Sequence, residues 1–349
     1  MNQTHANNNF GALRLFFAFL VIFSHSPQMI DGNSSRELLH SITGTITFGE
    51  LAVDCFFLIS GYLIINSYQN SPSFLNYLKK RVLRIYPGFI VASIICIVVF
   101  VPLSAGWNLI NWPVKEWIKN SIKSLFLFQP IVQGVFKGNH HALLNGSMWT
   151  IQYEFICYLL APVFALIALQ RKALFLITIL IFSITFILLN HYNVYYELPA
   201  PFYIIVIQFF RLTTAFMVGA AYFLYGKNIV WNTKISVLSL IALLISLAFP
   251  LSAELGLFVF GGYLLFNFAL NYKQKYLNRI GTKNDISYGV YLYAWPFQNL
   301  IIQNNPAINP WILTLLTIIF VSMMGYLSWV FVERPFTKLK SPFSKLKLT

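Results

Sequence analysis

Charge is what this sequence lacks most. Only 10% of its 349 residues are charged and 58% are apolar, where a soluble domain carries about 25% charged residues. That deficit excludes an ordinary soluble domain. Cysteine is nearly absent too: Cys55, Cys96 and Cys157 each sit in an apolar run at no metal-ligand spacing. They read as buried small hydrophobes, which excludes a disulfide framework and a cysteine zinc site. There is no glycine-rich nucleotide loop of Walker or Rossmann type and no internal repeat of the kind many transporters carry. The amino-terminal apolar run has no basic start and no small-residue cleavage site after it, so it is expected to be a retained span and not a signal peptide.

What is present is a series of continuous apolar runs. A chain inside lipid must satisfy its own backbone as helices or as a closed barrel, and runs without alternation select helices. The expected fold is all-α, a polytopic transmembrane bundle of about ten spans near 10–28, 47–68, 87–105, 148–168, 173–190, 202–225, 233–249, 253–270, 286–303 and 310–331. Of the 24 Lys and Arg residues, seventeen then fall in loops on one side or in the tail, five on the other side, and Arg14 and Arg211 lie inside spans. The rule that cytoplasmic loops are basic therefore predicts both termini in the cytoplasm. The net charge of +14 is read as an anionic-membrane signal in place of nucleic-acid binding.

The first span holds Arg14 and His25. Eleven helical residues make about three turns, so both share a face ~16 Å apart. Titratable groups inside a span usually face protein or a water path; the alternative is that Arg14 snorkels to headgroups and His25 sits at the far interface. Span two carries Asp54 and Gly61 on one face, with Gly61 open to close approach by a helix or ligand. Glu154 lies one turn inside span four. Span six carries Gln208 and Arg211 on one face. Two anions, Asp54 and Glu154, thus match two cations, Arg14 and Arg211, and a pair of buried ion pairs is the structural alternative to a site.

After span two, SPSFLNYLKKRVLRIYP opens on a Ser-Pro start and closes at Pro87. Phe74, Leu78, Val82 and Ile85 recur at helical spacing around Lys79, Lys80, Arg81 and Arg84, which predicts an amphipathic interfacial helix. Its simplest role is anchoring on anionic lipid. The segment 106–147 carries Trp107, Trp112, Trp117, His140, His141 and Asn145; its aromatics read as an interfacial belt or as sugar-stacking surfaces. His140 and His141 share no helix face and are not read as a metal pair.

Seven stretches in order, LRLFFAFLVIFSH, VDCFFLISGYLI, RVLRIYP, SMWTIQYEFICY, FRLTTAFMVGA, ISYGVYLY and VERPF, resemble the acyltransferase-3 family of integral membrane acyltransferases, whose members O-acetylate bacterial surface polysaccharides. The resemblance covers residues 1–335 as the transmembrane domain and leaves 336–349 as a short basic cytoplasmic tail. It departs at Ala294, where many members have His, so that position carries no proton here.

The resemblance implies a multi-pass enzyme of the bacterial cytoplasmic membrane. It would move an acyl group, acetyl by default, from cytoplasmic acetyl-CoA or another acyl-CoA to a hydroxyl of a cell-envelope polysaccharide or lipid-linked glycan, with no metal and no nucleic acid. Arg81 and Arg84, one turn apart, would clamp the CoA phosphates, with Lys80 as a point charge and Arg14 on a phosphate or the pantetheine arm. His25 would be the general base, oriented by Asp54 or Glu154, with an acyl-His intermediate as the second mechanism. Ser60, Tyr153 and Arg211 would supply oxyanion or substrate contacts. The competing readings are a transporter or flippase for a lipid-linked or small anionic substrate, and a structural or sensor membrane protein.

Overall fold

The computed structural model describes residues 8–106, 113–191 and 200–339. Trp107, Trp112 and the tail lysines 340, 345 and 347 lie outside the described residues. Every regular element described is helical: α1 (Phe10–Asp31), α2 (Leu38–Thr43), α3 (Phe48–Gln69), α4 (Phe74–Ala105), α5 (Val114–Leu125), α6 (Trp149–Gln170), α7 (Lys172–His191), α8 (Ala200–Tyr225), α9 (Thr233–Leu247), α10 (Ala253–Asn271), α11 (Ser287–Asn304) and α12 (Pro310–Lys338). Cys55, Cys96 and Cys157 are buried and free.

Among the described residues, eight helices are long and apolar enough to cross a membrane: α1, α3, α4, α6, α7, α8, α10 and α12. A helix also covers each of the other two expected spans, but α9 has only 15 residues. The other, α11, spans 18 residues that include Ser287, Gln298, Asn299, Gln303 and Asn304. Its reduced apolarity has a structural reason: most of α11 is buried against other helices, so its polar groups find protein partners and need not face lipid.

Local chemistry sets the boundaries. The Gly32 cap ends α1 in the left-handed conformation and returns its N–H to Gln28 O. A reciprocal capping box between Thr47 and Glu50 starts α3. The backbones of α3 and α8 meet closely, since a Cβ on Gly61 would come within 1.9 Å of Phe216 O, and one on Gly219 within 1.9 Å of Leu58 O. Gly61 therefore serves a helix crossing and not a ligand, because only a missing side chain lets two backbones meet.

Two expectations are corrected. The basic stretch after span two does not close at Pro87; one helix, α4, runs from Phe74 through Pro87 to Ala105 with a wider π turn at Cys96–Phe100. A long membrane helix tolerates proline because its neighbours supply partners for the disturbed backbone, and the Tyr288 hydroxyl donates to Ile85 O beside it at 3.0 Å. The segment 106–147 is also more than a loop, since it contains α5.

Candidate active site

One cavity of about 730 Å³ joins most of the polar residues singled out in the sequence. Arg14 of α1, Ser60 of α3, Lys80, Arg81 and Arg84 of α4 and Glu154 of α6 all line it. Along α3 the lining runs from exposed Asn70 to buried Val53, seventeen residues or ~25 Å of helix. The cavity is thus long, basic at its exposed end and walled by aromatic and aliphatic side chains further in.

At the basic end the four cations are not equivalent. Arg84 donates to Asp285 at 2.7 Å and to Glu333 at 3.2 Å, and Arg14 donates to the same Asp285 oxygen at 2.8 Å. Burial would raise the Asp285 pKa, but Arg14, Arg84 and hydrogen bonds from Ser287 outweigh it and hold this carboxyl well below its ordinary range. Arg81, one turn before Arg84, has no carboxylate within salt-bridge distance among the described residues. It donates to Ser67 Oγ at 3.2 Å and its guanidinium lies over the Tyr77 and Tyr158 rings at 5.8 and 5.7 Å. Lys80 donates only to Ser71 Oγ, at 3.0 Å. The expected Arg81–Arg84 clamp is therefore divided: Arg84 is neutralised by two carboxylates, while Arg81 and Lys80 keep an uncompensated charge.

Midway along the cavity, Ser60 is buried beside Tyr158, whose hydroxyl donates to Glu154 Oε1 at 2.5 Å. At the inner end stand Val53, Phe56, Thr150 and Tyr291, with the Phe56 and Tyr291 rings edge to face at 6.2 Å. The Tyr291 hydroxyl donates to Ser147 O at 2.6 Å and lies 2.8 Å from Thr150 Oγ1.

His25 stands just beyond that end, and two helices locate it. A Cβ on Gly49 would lie 3.7 Å from His25 Cε1, and Gly49 precedes Val53 by one turn. The Trp295 ring meets His25 edge to face at 5.2 Å, and Trp295 follows Tyr291 by one turn. One helical turn, ~6 Å, thus separates the cavity end from the imidazole. Its Nδ1 is 3.3 Å from Gln28 Oε1. An amide oxygen can only accept, so Nδ1 donates and Nε2 is left with its lone pair. His141 also packs on Trp295, with ring centroids 6.0 Å apart.

The expected orienters of His25 do not reach it. Asp54 is fully buried against Arg211 at 3.0 Å, because five residues past Gly49 turns a side chain ~140° away from the α1 face. Glu154 is held by Tyr158 in the middle of the cavity. The polar partner of His25 is Gln28, from its own helix. Of the buried ion pairs that were the alternative to a site, one is present, Arg211 with Asp54, while Arg14 pairs with Asp285 and Glu154 accepts from Tyr158. Among the oxyanion candidates, Arg211 is committed to Asp54 and Glu50 O and Tyr153 donates to Ile205 O at 3.3 Å. Neither lines the cavity, whereas Ser60 does.

Sequence reasoning missed Asp285, Glu333, Thr150 and Tyr291. A signal for the first two existed. With only ten acidic residues in the chain, Asp285 directly before a span and Glu333 at the end of the last one both stand where a carboxylate needs a partner. Thr150 and Tyr291 had none, since a hydroxyl in an apolar run is common.

A family model described as an acyltransferase domain matches residues 7–333. The chain is 30% identical to an O-acetyl transferase of Shigella phage Sf6, over 97% of this chain and 98% of that protein. It is 25% identical to nodulation protein 10 of Rhizobium leguminosarum bv. viciae, over 98% and 96%. A shorter match, 28% identical over 43% of this chain and 37% of the relative, is to acyltransferase MdmB of Streptomyces mycarofaciens. No solved structure matches the chain significantly.

Proposed function

The chain belongs to the acyltransferase-3 family, and from that premise we propose that it moves an acyl group, acetyl by default, from acyl-CoA to a hydroxyl of a cell-envelope glycan. The observation that carries this reading is the single cavity from uncompensated Arg81 and Lys80 to within one turn of His25. CoA is a polyanion on a long thin arm. Its phosphates suit the exposed basic end, where Arg81 offers a planar fork and Lys80 a point charge. The arm suits the ~25 Å of lined α3, passing Ser60, Glu154 and Tyr158. The thioester then comes to rest between the Thr150–Tyr291 level and His25.

In this reading His25 Nε2 accepts the proton of the acceptor hydroxyl as its oxygen attacks the thioester carbon. Gln28 fixes the tautomer and Trp295 the ring plane. Collapse of the tetrahedral intermediate expels the CoA thiolate, which takes the proton back from the imidazolium, so the products are the ester and CoA thiol. Ten spans across the bacterial cytoplasmic membrane with both termini in the cytoplasm would put the donor mouth in the cytoplasm and His25 toward the outer side, in line with the basic loops. A polysaccharide or lipid-linked glycan would then approach from the side of His25, Trp295 and His141.

The test uses the full chain in vesicles with labelled acetyl-CoA and an extracted envelope glycan. Wild type is expected to transfer label, and His25→Ala to lose transfer by at least ~100-fold, the scale of a general base, while still binding CoA. A folded wild type that neither binds CoA nor turns over its thioester sinks the enzyme reading and favours a transporter.

A further inference from the structure

We propose that Thr150 donates the hydrogen bond that polarises the acyl carbonyl, with Tyr291 as its positioning residue. The argument rests on the acyl-CoA reading above and begins with a count of protons. Tyr291 has one hydroxyl proton, and its shorter contact, 2.6 Å, is to a carbonyl, Ser147 O, which can only accept. Toward Thr150, at 2.8 Å, Tyr291 must therefore accept. The proton between them belongs to Thr150, whose side chain is 5% exposed and on the cavity wall.

That proton is the one a ligand can capture. Tyr291 is locked by Ser147 O, whose residue is itself held because the Ser147 hydroxyl donates its one proton to Asn145 Oδ1 at 2.9 Å, the shorter of its two contacts. Thr150 is free to rotate its hydroxyl from Tyr291 to a carbonyl oxygen entering the cavity end. It does so one turn from His25, on the side away from the acceptor. It also sits in the first turn of α6, where the helix end adds partial positive charge. Of the side chains expected to meet an oxyanion, Tyr153 and Arg211 do not line the cavity, and Ser60 lines it two turns of α3, ~10 Å, from the Val53 level.

In the step itself, the acceptor oxygen forms a bond to the thioester carbon and its proton goes to His25 Nε2. The carbonyl electron pair moves onto oxygen, and Thr150 keeps its proton while strengthening its hydrogen bond to that oxygen. The thiolate leaves and takes the proton from His25. Nothing is oxidised or reduced.

The experiment compares wild type with Thr150→Val, Thr150→Ala, Thr150→Ser and Tyr291→Phe, each as full-length protein in vesicles. Turnover of acetyl-CoA with an envelope glycan is read beside the infrared carbonyl band of bound acetyl-CoA labelled with ¹³C at the carbonyl. Thr150→Val is expected to lower kcat ~100-fold, the scale of one lost oxyanion donor, with CoA affinity unchanged and the carbonyl band returned to higher frequency. Thr150→Ser restores both. Tyr291→Phe lowers kcat less and broadens the band. Wild-type kcat and an unshifted band in a folded Thr150→Val or Thr150→Ala protein overturn the proposal and leave the acyl-CoA reading standing. Absence of acetyl-CoA binding in wild type removes both.

Discussion

Two buried arginine–carboxylate clusters stand in this bundle, and they differ in what surrounds them. Arg211 and Asp54 pair at 3.0 Å with 6% and 0% of their side chains exposed, and neither lines the cavity. Arg84, Arg14, Asp285 and Glu333 form a chain of three ion pairs, of which Arg14, Arg84 and Asp285 line the cavity and Glu333 is buried behind them. The first is closed and joins α3 to α8 beside their glycine crossing. The second fronts a space that a ligand can enter. An intramembrane charge is therefore not a site in itself. It becomes one when its field reaches an opening, and Arg81, with no ion pair among the described residues, is the extreme case.

The sharpest way to break this contrast is to open the closed pair. Asp54→Ala leaves Arg211 buried and unpaired and is expected to cost about 3–5 kcal/mol, read as a large drop in detergent melting temperature or loss of folded protein. If Asp54→Ala folds normally and loses only turnover, Asp54 belongs to the chemistry after all. Next in size, Arg81→Ala is expected to raise the CoA dissociation constant ~10- to 100-fold, the loss of about 1.5–3 kcal/mol for a charge-assisted hydrogen bond, with melting nearly unchanged because no carboxylate is orphaned. Arg84→Ala should do the reverse, lowering stability through unpaired Glu333 more than it lowers CoA affinity. Equal losses of affinity in both variants would restore the two-arginine clamp.

The smallest expected effect concerns acid. The folded Asp285 carboxyl is held below its ordinary range by Arg14 and Arg84. Its stabilising contribution is present above the unfolded pKa of about 3.9 and is lost only as pH falls through the lower folded value. Lowering pH from about 7 to about 5, above both values, should leave the share of stability that Asp285 contributes intact. Asp285→Asn, which cannot accept from two arginines as an anion, should melt lower at both pH values. A wild-type stability loss in that interval that Asp285→Asn abolishes would show the network titrating higher.

Much of the fold was legible because its causes are local. Continuous apolar runs and helical spacing each act within a few residues. The basic residues of α4 were found because cations in an apolar chain are conspicuous. Pro87 misled for the same local reason: proline breaks a helix in water, while in this bundle neighbouring helices carry α4 through it. Pairing between distant elements was not legible. Asp285 meets Arg14 from 271 positions away, and nothing in either neighbourhood names the other.

By itself, then, the sequence determined an all-helical membrane chain, a basic α4 and an Arg14–His25 stripe, since length, hydropathy and helical spacing need no partner to take effect. Tertiary structure alone decided which cations stay free, that Asp54 turns to Arg211 and away from His25, and that Thr150 and Tyr291 close the cavity one turn short of the imidazole. Those outcomes depend on which helix faces meet. Desolvation makes each buried charge or hydroxyl take the nearest partner that packing brings to it.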